Sequence, residues 1–385
     1  MWLNWPLASA TSVAKIQRFE TVVIGKMNDH LVQSEALRVK SRTLFAVLAA
    51  GACLVAGCGA PPMNYVLSEK AEKILKGDDP GKLSGALVAF FGTPAAPKIA
   101  EPLKKVIRSS EPELAEGAKS YRRLCMHCHG LTGDGNGPTS KFLLPLPRDY
   151  RRGLFKFTST DQMSSPTRDD LLRTLKNGIP GTSMPSFALF DEQEIERVLD
   201  YVVLLSIRGR SEESLVESVE TGTGEIDAEA VAAAATSDAR RWTTADGKIV
   251  KPKVARTAAD ERSIENGKRL FLSAQAQCTK CHGKEGRGDG FLNDANADPK
   301  DTKDSWGNQA RPANLTLGVF RGGGRPVDLF RRLHSGIKGT PMAAQSSSLK
   351  DEEIWDLVNF VLYLPYHDSA LSSKPAEKEH GAGGS

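Results

Sequence analysis

The chain has 385 residues, of which 40% are hydrophobic and 25% charged, the proportions of a soluble globular protein with room for two ordinary domains. Its formal net charge is +4, but residues 1–57 carry an excess of three positive charges, which leaves the rest of the chain near neutral at +1. Nucleic-acid binding needs a strongly basic surface, so no nucleic acid partner is expected.

Residues 1–57 are predicted to be a leader and signal peptide. A basic run from Arg38 to Arg42 precedes the uncharged stretch Leu44–Gly57, which is the order of a secretory signal. A transmembrane helix needs about 20 apolar residues, so this stretch is too short to span a bilayer comfortably. We interpret Met27 as the true start of the chain.

The apolar stretch ends in Leu54-Val55-Ala56-Gly57-Cys58, which resembles the lipobox of bacterial lipoproteins. In that family the peptide is cut before the cysteine, so the resemblance implies lipidation of Cys58. Stable anchoring takes more than one acyl chain, which such a cysteine carries. We expect an exported protein, held by lipid at the outer face of the cytoplasmic membrane or in the periplasm. An uncleaved anchor and an ordinary signal peptide are the alternatives.

Residues 58–112 carry short helical patterns, at Leu67–Leu75 and Leu83–Phe91, but no chemical motif. We interpret this segment as a membrane-proximal spacer. The first chemical motif follows in residues 113–208, where a predicted helix, Glu113–Leu124, leads into a Cys-x-x-Cys-His run at Cys125–His129.

Residues 263–366 repeat the pattern of residues 113–208. A Gly-x-x-x-aromatic pair precedes each Cys-x-x-Cys-His run and leaves a small residue where another helix could cross closely, and a Gly-Asp-Gly triplet follows each run. A matched Gly-Ile-x-Gly-Thr-x-Met loop and an amphipathic closing helix complete each copy. Residues 209–262, with one helix near Glu225–Arg241, are predicted as a partly ordered linker. Residues 367–385 are predicted as a disordered tail.

Each Cys-x-x-Cys-His run predicts covalent attachment of a c-type haem. The two thiols can add to the haem vinyl groups, and the adjacent histidine then lies under the iron as its proximal ligand. A methionine is a good sixth ligand, and the matched loops supply one per copy at a constant offset of 158 residues. The predicted thioether residues are Cys125, Cys128, Cys278 and Cys281. The predicted iron ligands are His129 with Met184 and His282 with Met342.

Each copy resembles a class I cytochrome c domain, on the haem motif and the methionine loop just described. The resemblance implies an all-α fold with two such domains joined by the linker, and it assigns the same thioether and axial residues. In that family a proline orients the proximal histidine. Pro138 and Pro147 are the candidates in the first copy, and Pro312 is the candidate in the second.

The same residues also have other interpretations. The cysteine pairs could form a zinc site or dithiol redox centres, but they stand 153 residues apart and each has its own histidine and methionine loop. The methionines could be core filler. Met163 is a rival iron ligand in the first copy, but it has no counterpart in the second, and His127 is a variable position of its motif. His334 is interpreted as a surface or supporting histidine. Four arginines are either partners of the haem propionates or solvated loop residues: Arg148, Arg151, Arg152 and Arg311.

Two irons with both axial positions filled predict outer-sphere electron transfer rather than catalysis. The expected partners are redox protein donors and acceptors, including a membrane oxidoreductase complex of a respiratory chain. A dihaem peroxidase-like enzyme is the alternative, with the second copy more suspect because its loop from Gly290 to Arg311 is longer and more polar. A third possibility is a docking subunit that uses residues 59–112 and 209–262 as contact surfaces.

Overall fold

The computed structural model describes residues 64–292, 298 and 302–367. This part of the chain is helical and contains no β-strand, which confirms the predicted all-α class. The leader, Cys58 and residues 368–385 of the predicted tail lie outside the described residues. The helices are α1 Glu69–Ile74, α2 Asp79–Phe91, α3 Glu111–Leu124, α4 Met126–His129, α5 Arg168–Asn177, α6 Glu192–Glu220, α7 Ala228–Thr243, α8 Glu261–Phe271, α9 Cys278–His282, α10 Pro326–Ser335 and α11 Asp351–Tyr363.

None of these helices is both long enough and apolar enough to cross a membrane. Short 3₁₀ turns connect several of them, at Glu101–Lys105, Ser140–Phe142, Ala245–Lys248, Gly290–Leu292, Leu315–Leu317 and Leu364–Tyr366.

In the first copy, α3 crosses α6 at Gly117. A Cβ at this position would lie 2.3 Å from the carbonyl oxygen of Arg197, so the two backbones meet where the sequence left a small residue. The rings of Tyr121 and Tyr201 pack edge to face beside the crossing, 5.3 Å apart. α3 begins two residues earlier than predicted, because Ser110 and Glu113 form a capping box at its start.

The second copy has the same crossing, between α8 and α11. A Cβ at Gly267 would lie 2.1 Å from the carbonyl oxygen of Asp356. The ring of Phe271 lies 5.5 Å from that of Phe360. The two copies therefore share one helix-crossing geometry, as the repeated Gly-x-x-x-aromatic spacing indicated.

Two helices that the sequence patterns did not reveal precede the methionine loops. α5 begins at a capping box formed by Thr167 and Asp170, and α10 begins with Pro326, which suits the first turn of a helix. Both are ten residues long and are related by the same offset as the methionine loops. They bring each loop back toward its own Cys-x-x-Cys-His run.

The segments flanking the first copy pack against it. Leu83, Leu87 and Phe91 of α2 are fully buried in the same hydrophobic core as α3 and α6. α6 continues beyond the predicted end of its domain, because Leu215 and Val216 remain buried on the same core. The predicted spacer (58–112) and the predicted linker (209–262) thus contribute side chains to the core of the first copy. The domain limits predicted from the sequence remain proposals.

The first copy contacts both the linker and the second copy. Thr160 and Ile249 of the linker form an isolated antiparallel bridge, and the Val250 amide, also of the linker, donates to the Ser159 carbonyl at 2.9 Å. An ion pair joins the guanidinium of Arg173 to the carboxylate of Asp328, with 3.4 Å between Nη1 and Oδ1. The first copy therefore meets the linker through loops and the second copy through α5 and α10.

Candidate functional site

The first Cys-x-x-Cys-His run forms a single turn at the end of α3. Cys125 ends α3, and α4 carries Cys128 and His129, with the His129 amide donating to the Cys125 carbonyl at 2.9 Å. Burial raises the pKa of the Cys125 thiol to about 12, so it stays protonated at neutral pH. A reactive dithiol needs a lowered thiol pKa, so this environment does not suit a redox dithiol.

The ring of His129 is held in place by contacts with Arg148 and Tyr150. Its Nδ1 lies 3.1 Å from the carbonyl oxygen of Arg148, and its ring lies 4.8 Å from that of Tyr150. Burial lowers its pKa to about 4, so the imidazole is neutral at pH 7. A neutral imidazole that donates from Nδ1 keeps the lone pair of Nε2 available for a metal.

The second run holds its histidine in the same way, although six residues separate it from the end of α8. Cys278 and Cys281 lie on α9, and the Nδ1 of His282 lies 3.0 Å from the carbonyl oxygen of Ala313. Burial raises the pKa of the Cys278 thiol to about 11 and lowers the pKa of His282. Among the described residues, no three His, Cys, Asp or Glu side chains come together as a metal site, so the four thiols do not form the shared zinc site considered above.

The carbonyls that hold the two histidines each follow a proline. A Cβ at Gly135 would lie 2.7 Å from the Pro147 oxygen, and one at Gly288 would lie 2.8 Å from the Pro312 oxygen. Pro147, rather than Pro138, therefore corresponds to Pro312. This settles which of the two candidate prolines stands beside the histidine-binding carbonyl.

The glycines after the two runs correspond at the cysteine offset of 153 residues. A Cβ at Gly137 would lie 2.3 Å from the His127 oxygen, and one at Gly290 would lie 2.4 Å from the Lys280 oxygen. The two Gly-Asp-Gly triplets are Gly133–Gly135 and Gly288–Gly290, so glycines at the same place in the two triplets are not the equivalent ones.

The methionine loops have one internal geometry. In the first loop the Thr182 hydroxyl donates to the Ile179 carbonyl at 2.8 Å and accepts from the Met184 amide at 3.1 Å. In the second, Thr340 makes the same two bonds, at 2.8 Å to Ile337 and 3.3 Å from Met342. The threonine of each Gly-Ile-x-Gly-Thr sequence thus closes the turn that presents the methionine.

Both Cys-x-x-Cys-His runs and both methionine loops line one continuous cavity of about 1180 Å³. A pocket for one small ligand measures roughly 300–1,000 Å³, so this volume suits more than one large group. Apolar side chains of both copies form its walls, among them Phe157 and Leu171 of the first and Phe320 and Leu333 of the second. Neutral histidines, protonated thiols and thioether sulfurs around an apolar cavity fit two haem groups.

The other residues considered from the sequence separate into two groups. Arg148, Arg311 and His127 line the cavity. Met163 is 79% exposed and is not part of the lining, and His334 stacks on Phe330 instead.

The remaining two arginines have protein partners. Arg151 pairs with Asp149 at 2.9 Å, and Arg152 donates to the Ser305 carbonyl at 2.7 Å. Sequence reasoning missed Tyr150, which packs on the ring of His129, because an isolated tyrosine in a loop has no spacing signal.

Comparisons with known proteins indicate the same class of protein. Residues 264–365 match the family described as cytochrome c, and residues 112–202 match the family described as cytochrome c oxidase, cbb3-type, subunit III. A chain in the solved structure of the Kuenenia stuttgartiensis reducing HAO-like protein complex is 30% identical, with a TM-score of 0.50. The alignment covers 65% of this chain and 95% of that one. No curated protein matches.

The fold and the site define a c-type cytochrome, and the chain belongs to this family with two cytochrome c domains. The predicted cofactor, two covalently bound haem c groups, is confirmed by the two family matches. Haem-based electron transfer follows from the same assignment.

Proposed function

We propose that this chain is an exported two-haem electron carrier in which electrons pass directly between the haems. The observation that carries the proposal is the single cavity lined by both Cys-x-x-Cys-His runs and both methionine loops. The haems would be held by thioether bonds to Cys125, Cys128, Cys278 and Cys281. Their axial ligands would be His129 with Met184 and His282 with Met342.

The protein's part in the reaction is to hold ligands and exclude water. The carbonyls of Arg148 and Ala313 orient the two histidines, and the threonine-closed turns present the two methionines. With haem bound, the mostly apolar walls would leave little room for water, which would limit the solvent rearrangement that accompanies a change of charge. When bound, each haem supplies an iron that gains or loses one electron.

The direct exchange can be tested by electron paramagnetic resonance of the fully oxidised holoprotein. Two irons that share a cavity should broaden each other's signals. Removal of one haem by the paired substitutions Cys278→Ser and Cys281→Ser should therefore sharpen the signal of the other. A first-site signal that is identical in the two proteins would contradict a shared site.

Filled axial positions distinguish a carrier from a peroxidase-like enzyme. The reduced holoprotein should bind carbon monoxide poorly at neutral pH, whereas Met184→Ala and Met342→Ala should each open one iron to the gas. Ready binding by the unmodified protein, together with turnover of hydrogen peroxide, would overturn the carrier proposal. It would favour the dihaem peroxidase-like alternative.

The proposed location is the outer face of the cytoplasmic membrane or the periplasm, with lipid attached at Cys58. The signal-like sequence before Cys58 and the membership of the c-type cytochromes support export. Metabolic labelling with a radioactive fatty acid should mark the full-length chain and not its Cys58→Ser variant. Equal labelling of both would rule out this anchor.

A role as a subunit of a larger redox assembly has a separate support. The similar solved chain, which this chain covers over 95% of its length, belongs to a multi-protein complex. Redox protein donors and acceptors, including a membrane oxidoreductase complex, are therefore the proposed partners. Purification from native membranes in mild detergent should yield the chain with stoichiometric redox partners, and recovery of the chain alone would favour a free carrier.

A further inference from the structure

The two methionine loops have the same internal bonds but different surroundings. The residue after Ile179 in the first loop is Pro180, which is exposed. The residue after Ile337 in the second loop is Lys338, which is 4% exposed. One loop therefore faces solvent at the position where the other is buried.

Lys338 of the second loop reaches into the first domain. Its ammonium group donates to the Thr160 hydroxyl at 2.9 Å and to the Ser164 carbonyl at 2.5 Å. A buried ammonium group without hydrogen bonds is strongly unfavourable, so the loop is favoured in the position where these two acceptors are within reach. The first domain thus restrains the second loop through Lys338.

Trp306 provides a second link to the same loop. A Cβ at Gly339 would lie 2.5 Å from the Trp306 ring, and the Ser305 amide donates to the Gly339 carbonyl at 3.0 Å. The ring in turn lies 3.8 Å from the guanidinium carbon of Arg148 in the first domain, within the range of a cation–π contact. Arg148 is also the residue whose carbonyl holds His129.

The first methionine loop has no comparable links. Its counterpart of Gly339 is Gly181, where an added Cβ would meet Val319 of the second domain at 3.0 Å. Within the described part of the chain, no hydrogen bond from residues 177–184 crosses to the second domain. Among the described residues, hydrogen bonds across the domain interface therefore hold the second methionine loop and not the first.

We propose that the first domain holds the second methionine loop in place, with Lys338 and Trp306 as positioning residues for Met342. The inference rests on the proposed His/Met ligation of the second haem and adds that this ligation depends on the domain interface. The first haem site keeps its methionine without help from the second domain. Loosening the interface would therefore open the second iron first.

The test uses the full holoprotein with Lys338→Ala and Trp306→Ala. Each change should weaken the Met–iron absorption band of the second haem, lower its reduction potential and raise its affinity for carbon monoxide. For Lys338→Ala the affinity should rise about tenfold, the value of one charge-assisted hydrogen bond. The Met–iron band of the first haem should stay unchanged, and it reports in the same sample that the chain has folded.

Conservative variants separate positioning from general destabilisation. Lys338→Gln keeps a donor for the two acceptors, and Trp306→Phe keeps the ring. The Phe change keeps one aromatic ring in place of the larger indole, and it removes an indole N–H that has no hydrogen-bond partner among the described residues. Both should restore most of the second Met–iron band. Pro180→Ala, the matched change in the first loop, should leave the first band unchanged.

Three outcomes would overturn the inference. Wild-type spectra and carbon monoxide affinity in both alanine variants would show that the contacts do not position Met342. Equal loss at both haems would show a general effect on folding. Absence of a second Met–iron band in the unmodified protein would reject the proposed ligation itself, and the inference with it.

Discussion

The two haem domains share their backbone contacts and differ in the side chains that tie them to the rest of the chain. Each has a glycine at its helix crossing, a carbonyl on its histidine and a threonine-closed methionine turn. The first domain places Tyr121 and Tyr201 where the second has Phe271 and Phe360. A small set of repeated backbone features thus builds each haem site. Side-chain contacts with other parts of the chain then determine how far each site depends on the rest of the protein.

The polar groups of the first domain attach further segments to it. The hydroxyl of Tyr201 bonds that of Tyr65 at 3.0 Å, and the guanidinium of Arg208 lies 4.5 Å from the Tyr65 ring. Glu212 accepts from the amide of Ser68 at 2.6 Å. Residues before and after the first domain therefore enlarge its core. The second domain differs, because its methionine loop is held by contacts with the first domain.

The largest effect is expected from the cysteines, which test whether the two sites load independently. Replacing Cys125 and Cys128 together by serine should reduce the covalent haem content from two per chain to one, because neither thioether can form. The pair Cys278 and Cys281 should give the same result. The pyridine haemochrome assay measures the haem content of each purified variant.

The control for this experiment is Met163→Ala, since this exposed methionine lies away from the cavity. It should retain two haems. If both serine variants kept two haems, the Cys-x-x-Cys-His runs would not be the attachment sites. If either lost both, the domains would not load separately.

The second-largest effect is expected from substitutions at the helix crossings. Gly117→Ala and Gly267→Ala would each press a Cβ against a backbone carbonyl that cannot rotate away, at 2.3 and 2.1 Å. Overpacking of this kind costs about 3 kcal/mol, so each change should lower the free energy of unfolding of its own domain. Urea denaturation, followed through the haem absorption of each site, measures the loss.

Gly85 on α2 is the matched control, because an added Cβ there meets nothing within 4 Å. Gly85→Ala should raise stability by about 0.5–1 kcal/mol through the better helix propensity of alanine. Unchanged stability of both crossing variants would mean that the helices do not pack as closely as described.

Lys338 gives the two domains different pH dependences. Burial lowers its pKa from 10.5 to about 8, with Asp161 and Asp170 opposing the shift and Arg241 adding to it. Between these two values the unfolded chain binds the extra proton, so the stability of the wild type should rise with pH by up to about 3 kcal/mol relative to Lys338→Met. Urea denaturation at pH 7.5 and 10.5 measures this difference.

Pro180→Met, at the corresponding position of the first loop, should change stability equally at both pH values. Its side chain carries no proton to release, and Pro180 is exposed. A constant difference between wild type and Lys338→Met across the range would show that this lysine titrates normally.

Sequence patterns predicted the parts of the molecule that depend on local spacing. The closing helices, the helices before each haem motif and the crossing glycines all lie where periodicity placed them. The end of α6 was not predictable, because the helix continues through Gly209 where Arg151 packs too closely for any side chain, with an added Cβ 2.4 Å from its Cβ. Only the folded neighbour explains that glycine.

The site also contains residues that the sequence predicted and residues that it did not. Cysteines, histidines and methionines follow from motif and repeat, and the structure brings them to one cavity. Lys338 acts through contacts with residues 178 and 174 positions away in sequence, and Trp306 through Arg148, 158 positions away, which is beyond any local pattern.

The smallest predicted effect concerns the tyrosine that the second domain lacks. Tyr121 is fully buried and its hydroxyl donates to the Gly130 carbonyl at 2.8 Å. Tyr121→Phe gives the first domain the side chain that the second has at Phe271, and it leaves that carbonyl without this donor, at a cost of about 1 kcal/mol. Urea denaturation should show this loss at the first site alone, while Tyr366→Phe, a change at a residue 83% exposed, should show none. If Tyr121→Phe were neutral, the hydroxyl would add nothing to the first domain, and the two cores would be equivalent at their helix crossings.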